Sequence, residues 1–369
     1  MKDAQIIVLA TPVFLALIAV ELLVGLARGR NTYRLHDAMA SIGLGMLSQV
    51  VALFTKLLNI GLYTAVFASV AWVQLPATSV WVWVAALLLY DLLYYWKHRF
   101  GHRMAIGWAA HVVHHQSEDY NLSTALRQTS TGWLADWLFY LPMAVLGFPP
   151  LVFAVVALVD LLYQYWVHTQ QIGKLGWFDR WFCSPSNHRV HHAVNDAYVD
   201  KNYGGILVLW DRLFGSFTEE RDGEPCVYGT RSPLRSFNPL WANLEVYAAL
   251  ARDAWFAGRW ADKLRVCFKP PGWRPADVAA RFPKPAFDIH QVRRFDPPTG
   301  PLEQAAALVV FAGVLAATVL LLWNAHTLSL MAVLLGAAGI VAALSVLGWL
   351  GAGRGRARRA SVAERAAAG

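Results

Sequence analysis

The chain reads as an all-α, polytopic helical membrane protein of about seven transmembrane helices, with a histidine-rich di-metal cap on the cytoplasmic side. Three observations predict this. Of 369 residues, 57% are hydrophobic and 15% charged, with 17 tryptophans, a composition too apolar for one soluble globule. Apolar runs long enough to cross about 30 Å of hydrocarbon recur along the chain. Nine of the twelve histidines fall in one ordered series beside those runs.

In chain order, spans are predicted near 5–27, 43–72, 78–96, 132–147, 150–167, 303–323 and 328–350. The first run lacks a small-residue cleavage site after a basic start, so it reads as a retained span and not a signal peptide. The stretch 38–74 has to make one crossing, as a tilted span plus an interfacial helix, with Lys56 snorkelling or facing protein. The run at 132–147 is short and is followed by Pro149 and Pro150, which predicts a tight hairpin with the next segment. Basic residues set the orientation: Arg28, Arg30 and Arg34 follow the first span, Lys97, Arg99 and Arg103 the third, and Arg354, Arg356, Arg358 and Arg359 the last. All are expected to be cytoplasmic, and the clustered histidines with them.

Five regions follow: an N-terminal transmembrane region (1–77), a histidine-bearing domain (78–218), a basic cytoplasmic or interfacial segment (219–300), a C-terminal transmembrane hairpin (301–350) and a disordered basic tail (351–369). Between 251 and 296, ten Lys/Arg stand against five Asp. That balance suggests a cap on the membrane surface, and a solvated pair of connector helices fits equally well. The net charge of +8 points to anionic lipid headgroups, not nucleic acid, because the excess lies in juxtamembrane stretches and the tail. Cys183, Cys226 and Cys267 share no motif spacing, so neither a disulfide framework nor a thiolate metal site is indicated.

The histidines carry the chemistry. His98 and His102 form HxxxH; His111, His114 and His115 form HxxHH; His168 stands alone; His188, His191 and His192 form a second HxxHH. At this composition two HxxHH motifs in one chain arise by chance about once in ten thousand sequences. Isolated His36, His290 and His326 read instead as helix caps or buried hydrogen-bonding groups. On a helix, residues i and i+4 share a face, so His98 and His102 can reach one metal, and HxxHH offers three imidazoles to one metal or splits them between two. Asp91 and Asp160 precede His98 and His168 on approximately the same helix faces, which suits either orienting an imidazole or an interhelical hydrogen bond.

A structural zinc needs four ligands and a catalytic zinc three, so one zinc leaves most of the set idle. Two metals with four or five ligands each use it fully. Iron best explains an all-nitrogen dinuclear site beside a bilayer, since reduced iron binds O₂ and attacks unactivated C–H bonds, whereas zinc does no redox chemistry.

The order HxxxH, HxxHH, HxxHH on membrane segments resembles the fatty acid hydroxylase/sterol desaturase superfamily of membrane di-iron oxygenases. DLLYYWKHRFGH (91–102), HVVHHQSEDYNLSTALRQ (111–128), LLYQYWVHT (161–169), SPSNHRVHH (184–192) and DKNYGGILVLWDRLFGSF (200–217) narrow it to the alkylglycerol monooxygenase branch. The likeness covers about residues 85–220 in detail. It implies that 78–218 is a fatty acid hydroxylase-type di-iron domain, that the nine histidines bind two Fe ions, and that tetrahydrobiopterin or a redox protein supplies electrons. It implies a monooxygenase that uses O₂ to hydroxylate a lipid C–H bond, in this branch the carbon beside the ether oxygen of an alkylglycerol.

Glu118 matches an acidic position of that branch, three residues past His115, within reach of ligand orientation, proton transfer or pterin. The plainer reading is a helix cap or a surface ion pair of Glu118 and Asp119 with Arg127. Two departures stand out: the branch often has His where this chain has Asn187, and related branches have a histidine where it has Ile172. Fatty acid, sterol or carotenoid hydroxylases and desaturases are the nearest alternatives. A zinc hydrolase fits less well, since no HExxH is present, and a metal transporter less well, since the clusters lie at span ends without an internal repeat.

Overall fold

The computed structural model describes residues 3–353, and among them it is helical, with two isolated β-bridges and no strand. The expected disordered tail lies outside the described residues from 354 onward. Two long helices open the chain, α1 (Asp3–Ala27) and α2 (Leu35–Val70). The histidine-bearing region comprises α3 (Val80–Arg103), α4 (Ala105–His115), α5 (Leu122–Ala125), α6 (Leu141–Val145), α7 (Pro150–Trp166), α8 (Pro185–His192) and α9 (Leu209–Leu213). The basic segment forms α10 (Pro239–Phe256), α11 (Trp260–Phe268) and α12 (Ala276–Arg281). A hairpin of α13 (Pro301–Asn324) and α14 (Leu330–Gly351) follows.

Among the described residues, four helices are long and apolar enough to cross a membrane: Ile7–Ala27 within α1, then α2, α13 and α14. At 36 residues α2 is one continuous helix about 54 Å long, where a span plus a separate interfacial helix was expected. Its first half, His36 to Val50, carries most of its buried residues and packs on the histidine region, while Leu57 further along is exposed.

The segment 132–147 is not one helix. Gly132–Leu134 and Asp136–Tyr140 are 3₁₀ turns, and α6 starts anew with Pro142 in its first turn, because proline has no N–H for a helix arriving from upstream. The segment nonetheless runs the depth of α3. Asp136 pairs with Lys97 near one end of α3 at 3.4 Å, while Val145 and Gly147 accept backbone hydrogen bonds from Trp72 and Leu75 beyond the far end of α2. Proline-started α7 then returns, as the hairpin reading expected.

Two apolar cores hold this arrangement. Met39, Leu47, Ala307, Val314, Ile340 and Leu344 join α2 to the α13–α14 hairpin. Tyr63, Ala86, Tyr90, Met143 and Val152 join the second half of α2 to α3, α6 and α7, with the Tyr63 hydroxyl donating to Phe148 O at 2.9 Å. One end of the bundle therefore gathers the close of α3, α4, the close of α7 and α8, and this end holds the histidines.

Candidate metal centre

All nine clustered histidines meet at that end, and they separate into two groups. His98 and His102 from α3, His111 and His115 from α4, and His191 from α8 form one; His114 from α4, His168 just past α7, and His188 and His192 from α8 form the other. Within each group one nitrogen per ring lies within 4.8 Å of every other. HxxHH produces the split. On α4 and again on α8 the third histidine follows the second directly, so adjacent rings point to different groups, and the groups share a wall where His115 and His192 stack 4.3 Å apart.

Main-chain carbonyls fix the rings. His98 Nδ1 donates to Tyr203 O at 2.8 Å, His114 Nδ1 to Arg127 O at 3.0 Å, His168 Nδ1 to Gln164 O at 2.7 Å and His191 Nδ1 to Lys201 O at 3.0 Å. A carbonyl has no proton to give, so each contact assigns the ring's hydrogen to Nδ1 and leaves Nε2 a bare lone pair. Burial, followed by the charge of neighbouring rings, holds His111, His115, His188 and His192 neutral, well below imidazole's ordinary range. His114 is pushed down to about 4, mainly by burial.

The Nε2 atoms converge. His98 and His111 stand 3.0 Å apart, His111 and His115 3.1 Å, His114 and His168 3.1 Å, His168 and His188 3.1 Å, and His188 and His192 3.2 Å. Between His114 and His168, both with hydrogen on Nδ1, two lone pairs face each other with no proton to share. His102 Nε2 and His191 Nε2 are buried without any hydrogen-bond partner. Such contacts are repulsive or costly unless a cation lies among them. An ion about 2.1 Å from two nitrogens separated by about 3.1 Å subtends roughly 95° between them, a normal ligand–metal–ligand angle. The donor set fits metal binding, in one group of five nitrogens and one of four.

Asp91 and Asp160 do not contact the rings. Asp91 accepts from Ile206 N at 2.7 Å, Leu207 N at 3.1 Å and Trp210 Nε1 at 2.8 Å, and Asp160 accepts from Gln164 Nε2 at 2.6 Å. Asp91 thus pins the loop that carries Tyr203, and acts on His98 only through it. The carboxylate beside a clustered ring is Asp200, 3.8 Å from His102 Nδ1. Asp200 and Asn202 both adopt left-handed backbone, φ 59° and 55°, which Asp and Asn tolerate best after glycine. DKNYG is the turn signal that could have located them.

Asn187 points away from the metal groups, donating to Asp179 O at 2.9 Å and Phe182 O at 3.1 Å, and the four-nitrogen group is complete without it. Ile172 lies outside the groups too, and its carbonyl accepts from Arg189 at 2.7 Å. Glu118 takes the backbone N–H of Phe295 and lies 3.8 Å from Arg34. Burial pushes its carboxyl up, against the pull of that N–H and of Arg34. Asp119 pairs with Arg34 at 2.9 Å and Arg294 at 3.4 Å. Arg127 makes no surface pair: it is buried and donates to Val113 O at 2.7 Å. Of the isolated histidines, His36 meets Thr299 Oγ1 at 3.1 Å and belongs to neither group.

Membrane-length helices closing over a buried, neutral, all-imidazole donor set define a multi-pass membrane oxidoreductase of the fatty acid hydroxylase class, and the fatty acid hydroxylase family profile matches residues 83–216. Alkylglycerol monooxygenase of Danio rerio is 37% identical over 351 residues, covering 92% of this chain and 76% of the relative; that of Homo sapiens is 41% identical over 267 residues, covering 72% and 59%. Ornithine lipid hydroxylase OlsE of Rhizobium tropici is 31% identical over 139 residues, covering 36% and 41%. No solved structure matches the chain. The chain belongs to the alkylglycerol monooxygenase family, and it is a lipid-hydroxylating monooxygenase that consumes O₂.

Proposed function

We propose that the two histidine groups each hold one iron ion and that the protein hydroxylates the carbon beside the ether oxygen of an alkylglycerol. The observation that carries the dinuclear reading is the pair of facing Nε2 lone pairs of His114 and His168 in one group, alongside the orphaned His102 and His191 nitrogens in the other. The iron pair supplies O₂ reduction and C–H oxidation. For each turnover one oxygen atom enters the C–H bond and the other leaves as water, with two electrons and two protons from a reductant, tetrahydrobiopterin by family resemblance. The hydroxylated ether is a hemiacetal that collapses to a fatty aldehyde and a glycerol.

The chain's part is to hold nine buried imidazoles in place, four of them through backbone carbonyls, so that little reorganises during turnover. Glu118, fixed by Phe295 N–H and facing Arg34, is the carboxylate proposed to relay protons or hold the reductant. Seven traverses, counting the broken 132–147 segment, with the histidine end cytoplasmic, agree with Arg28, Arg30, Arg34 and Arg103 lying at that end. The 78–218 domain is the catalytic unit, and 219–300 is its interfacial cap.

Iron reconstituted under anaerobic conditions should bind at about two ions per chain, and O₂ should then convert an alkylglycerol to aldehyde. His114→Ala or His168→Ala should retain about one ion and lose turnover. One ion per wild-type chain, or full activity in either variant, would falsify the dinuclear assignment.

A further inference from the structure

A cavity of about 150 Å³ opens between α3, α4, residues 129–136 and α10. At its inner end are His98 and His111, both of the five-nitrogen group; no member of the four-nitrogen group lines it. Phe100, Ile106 and Leu134 give it apolar walls. A polar cluster interrupts them: the Tyr247 hydroxyl donates to Thr131 Oγ1 at 3.0 Å, and Thr129 Oγ1 lies 3.2 Å from Thr131 Oγ1. Lys97 and Asp136 pair across it at 3.4 Å, with side chains 24% and 44% exposed.

We propose that this cavity seats the polar head of the lipid and presents the adjoining carbon to the His98–His111 side of the centre, with Thr131, Tyr247 and the Lys97–Asp136 pair determining which head is accepted. This rests on the monooxygenase reading above. Size limits the occupant to one end of the molecule, since sites that enclose a whole drug-sized ligand run to roughly 300–1,000 Å³. Charge decides the chemistry of that end. One cation and one anion cancel, so the cavity carries no net positive charge to recruit a phosphate. Three hydroxyls, each able to donate and accept, suit an uncharged polyol. The alkyl chain must leave the cavity along its apolar side, which keeps the carbon next to the head nearest the rings.

The test compares an alkylglycerol with the corresponding alkylglycerol phosphate in mixed micelles, using the iron-loaded full-length protein. Tyr247→Phe and Thr131→Val should each raise KM for the alkylglycerol about three- to tenfold while kcat and metal content stay at wild-type values, and Thr131→Ser should restore KM. Asp136→Asn leaves Lys97 unpaired and should lower KM for the phosphate, narrowing the preference by about tenfold. Unchanged KM in Tyr247→Phe and Thr131→Val, or equal changes for both lipids in every variant, would overturn the assignment. Anaerobic binding of a fluorescent alkylglycerol needs no turnover and scores the cavity on its own: weaker binding to Tyr247→Phe supports it, and identical binding rejects it. A wild-type protein that binds this probe but oxidises neither lipid would instead refute the reaction.

Discussion

At the scale of single residues, the nine histidines singled out by their spacing are the nine that meet at one bundle end, because that spacing sets which helix face each ring occupies. Adjacent His114 and His115 face different groups, and so do His191 and His192, which is how nine rings resolve into five and four. The shell behind them was not legible. His98, His114, His168 and His191 lean on carbonyls, which every residue has, so no side chain marks the position. Of the two roles open to Asp91, the interhelical hydrogen bond is the one observed, from Trp210 on α9, because periodicity gives a direction and not what waits there. Glu118 is the residue on which the outcome matters most. Its glutamine variant keeps an oxygen for Phe295 N–H and removes only the charge facing Arg34. A carboxylate serving turnover predicts a fall of at least about tenfold in O₂-dependent lipid oxidation with the iron content unchanged, equivalent to about 1.4 kcal/mol of transition-state stabilisation. Wild-type rates in Glu118→Gln would make it a tether for the 295 segment and nothing more.

Among the elements, apolar runs were read well where they are uninterrupted and poorly where they are broken. α13 and α14 fall within two residues of expectation, since nothing in them interrupts the helix. In 132–147 a glycine, an aspartate and Pro142 divide an apolar run into short turns that still cover the distance. The exposed face of α11 bears on the two readings of the basic segment. Trp260, Leu264 and Phe268 repeat every fourth residue at 82%, 69% and 60% exposure, with Trp255 beside them at 77%, while Val266 is buried on the opposite side. A solvated connector has no reason to display such a stripe, whereas a helix lying in the headgroup boundary does. Lys269, directly after it, accepts through its carbonyl from Ala105 N, which ties α11 to the start of the helix that carries His111, His114 and His115. A spin label at Leu264→Cys, in a background lacking Cys183, Cys226 and Cys267, should in bilayers be accessible to O₂ and shielded from a water-soluble nickel chelate. Strong chelate access would return 219–300 to the solvated reading.

For the whole molecule, gathering so many imidazoles in a dry bundle end ties stability to protons. Seven of them outside the long spans, His111, His114, His115, His168, His188, His191 and His192, are held below their ordinary range, chiefly by burial. An unfolded imidazole takes its proton near pH 6.5, whereas His114 waits until about 4 in the fold. Between those values the unfolded chain binds more protons, so stability present above pH 6.5 is lost as pH falls towards 4. Asp119 works the other way. Burial and the charge of Asp37 raise it to about 6, against the pull of Arg34, so its contribution is complete at low pH and lost as pH rises through 6. Glu118, Asp211 and Glu245 are shifted in the same direction by burial, but these four carboxyls are outnumbered by seven imidazoles, so the net slope follows the histidines. Metal bound to Nε2 excludes the proton and should move the loss to lower pH. Melting of chelator-treated protein in detergent should therefore show a nearly constant Tm from pH 8.5 to 7, then a steady decline from about 6.5 to 4.5, with the iron-loaded protein holding its Tm further into acid. A metal-free Tm that stays level or rises between 6.5 and 5 would mean that these rings are not held neutral together in the fold.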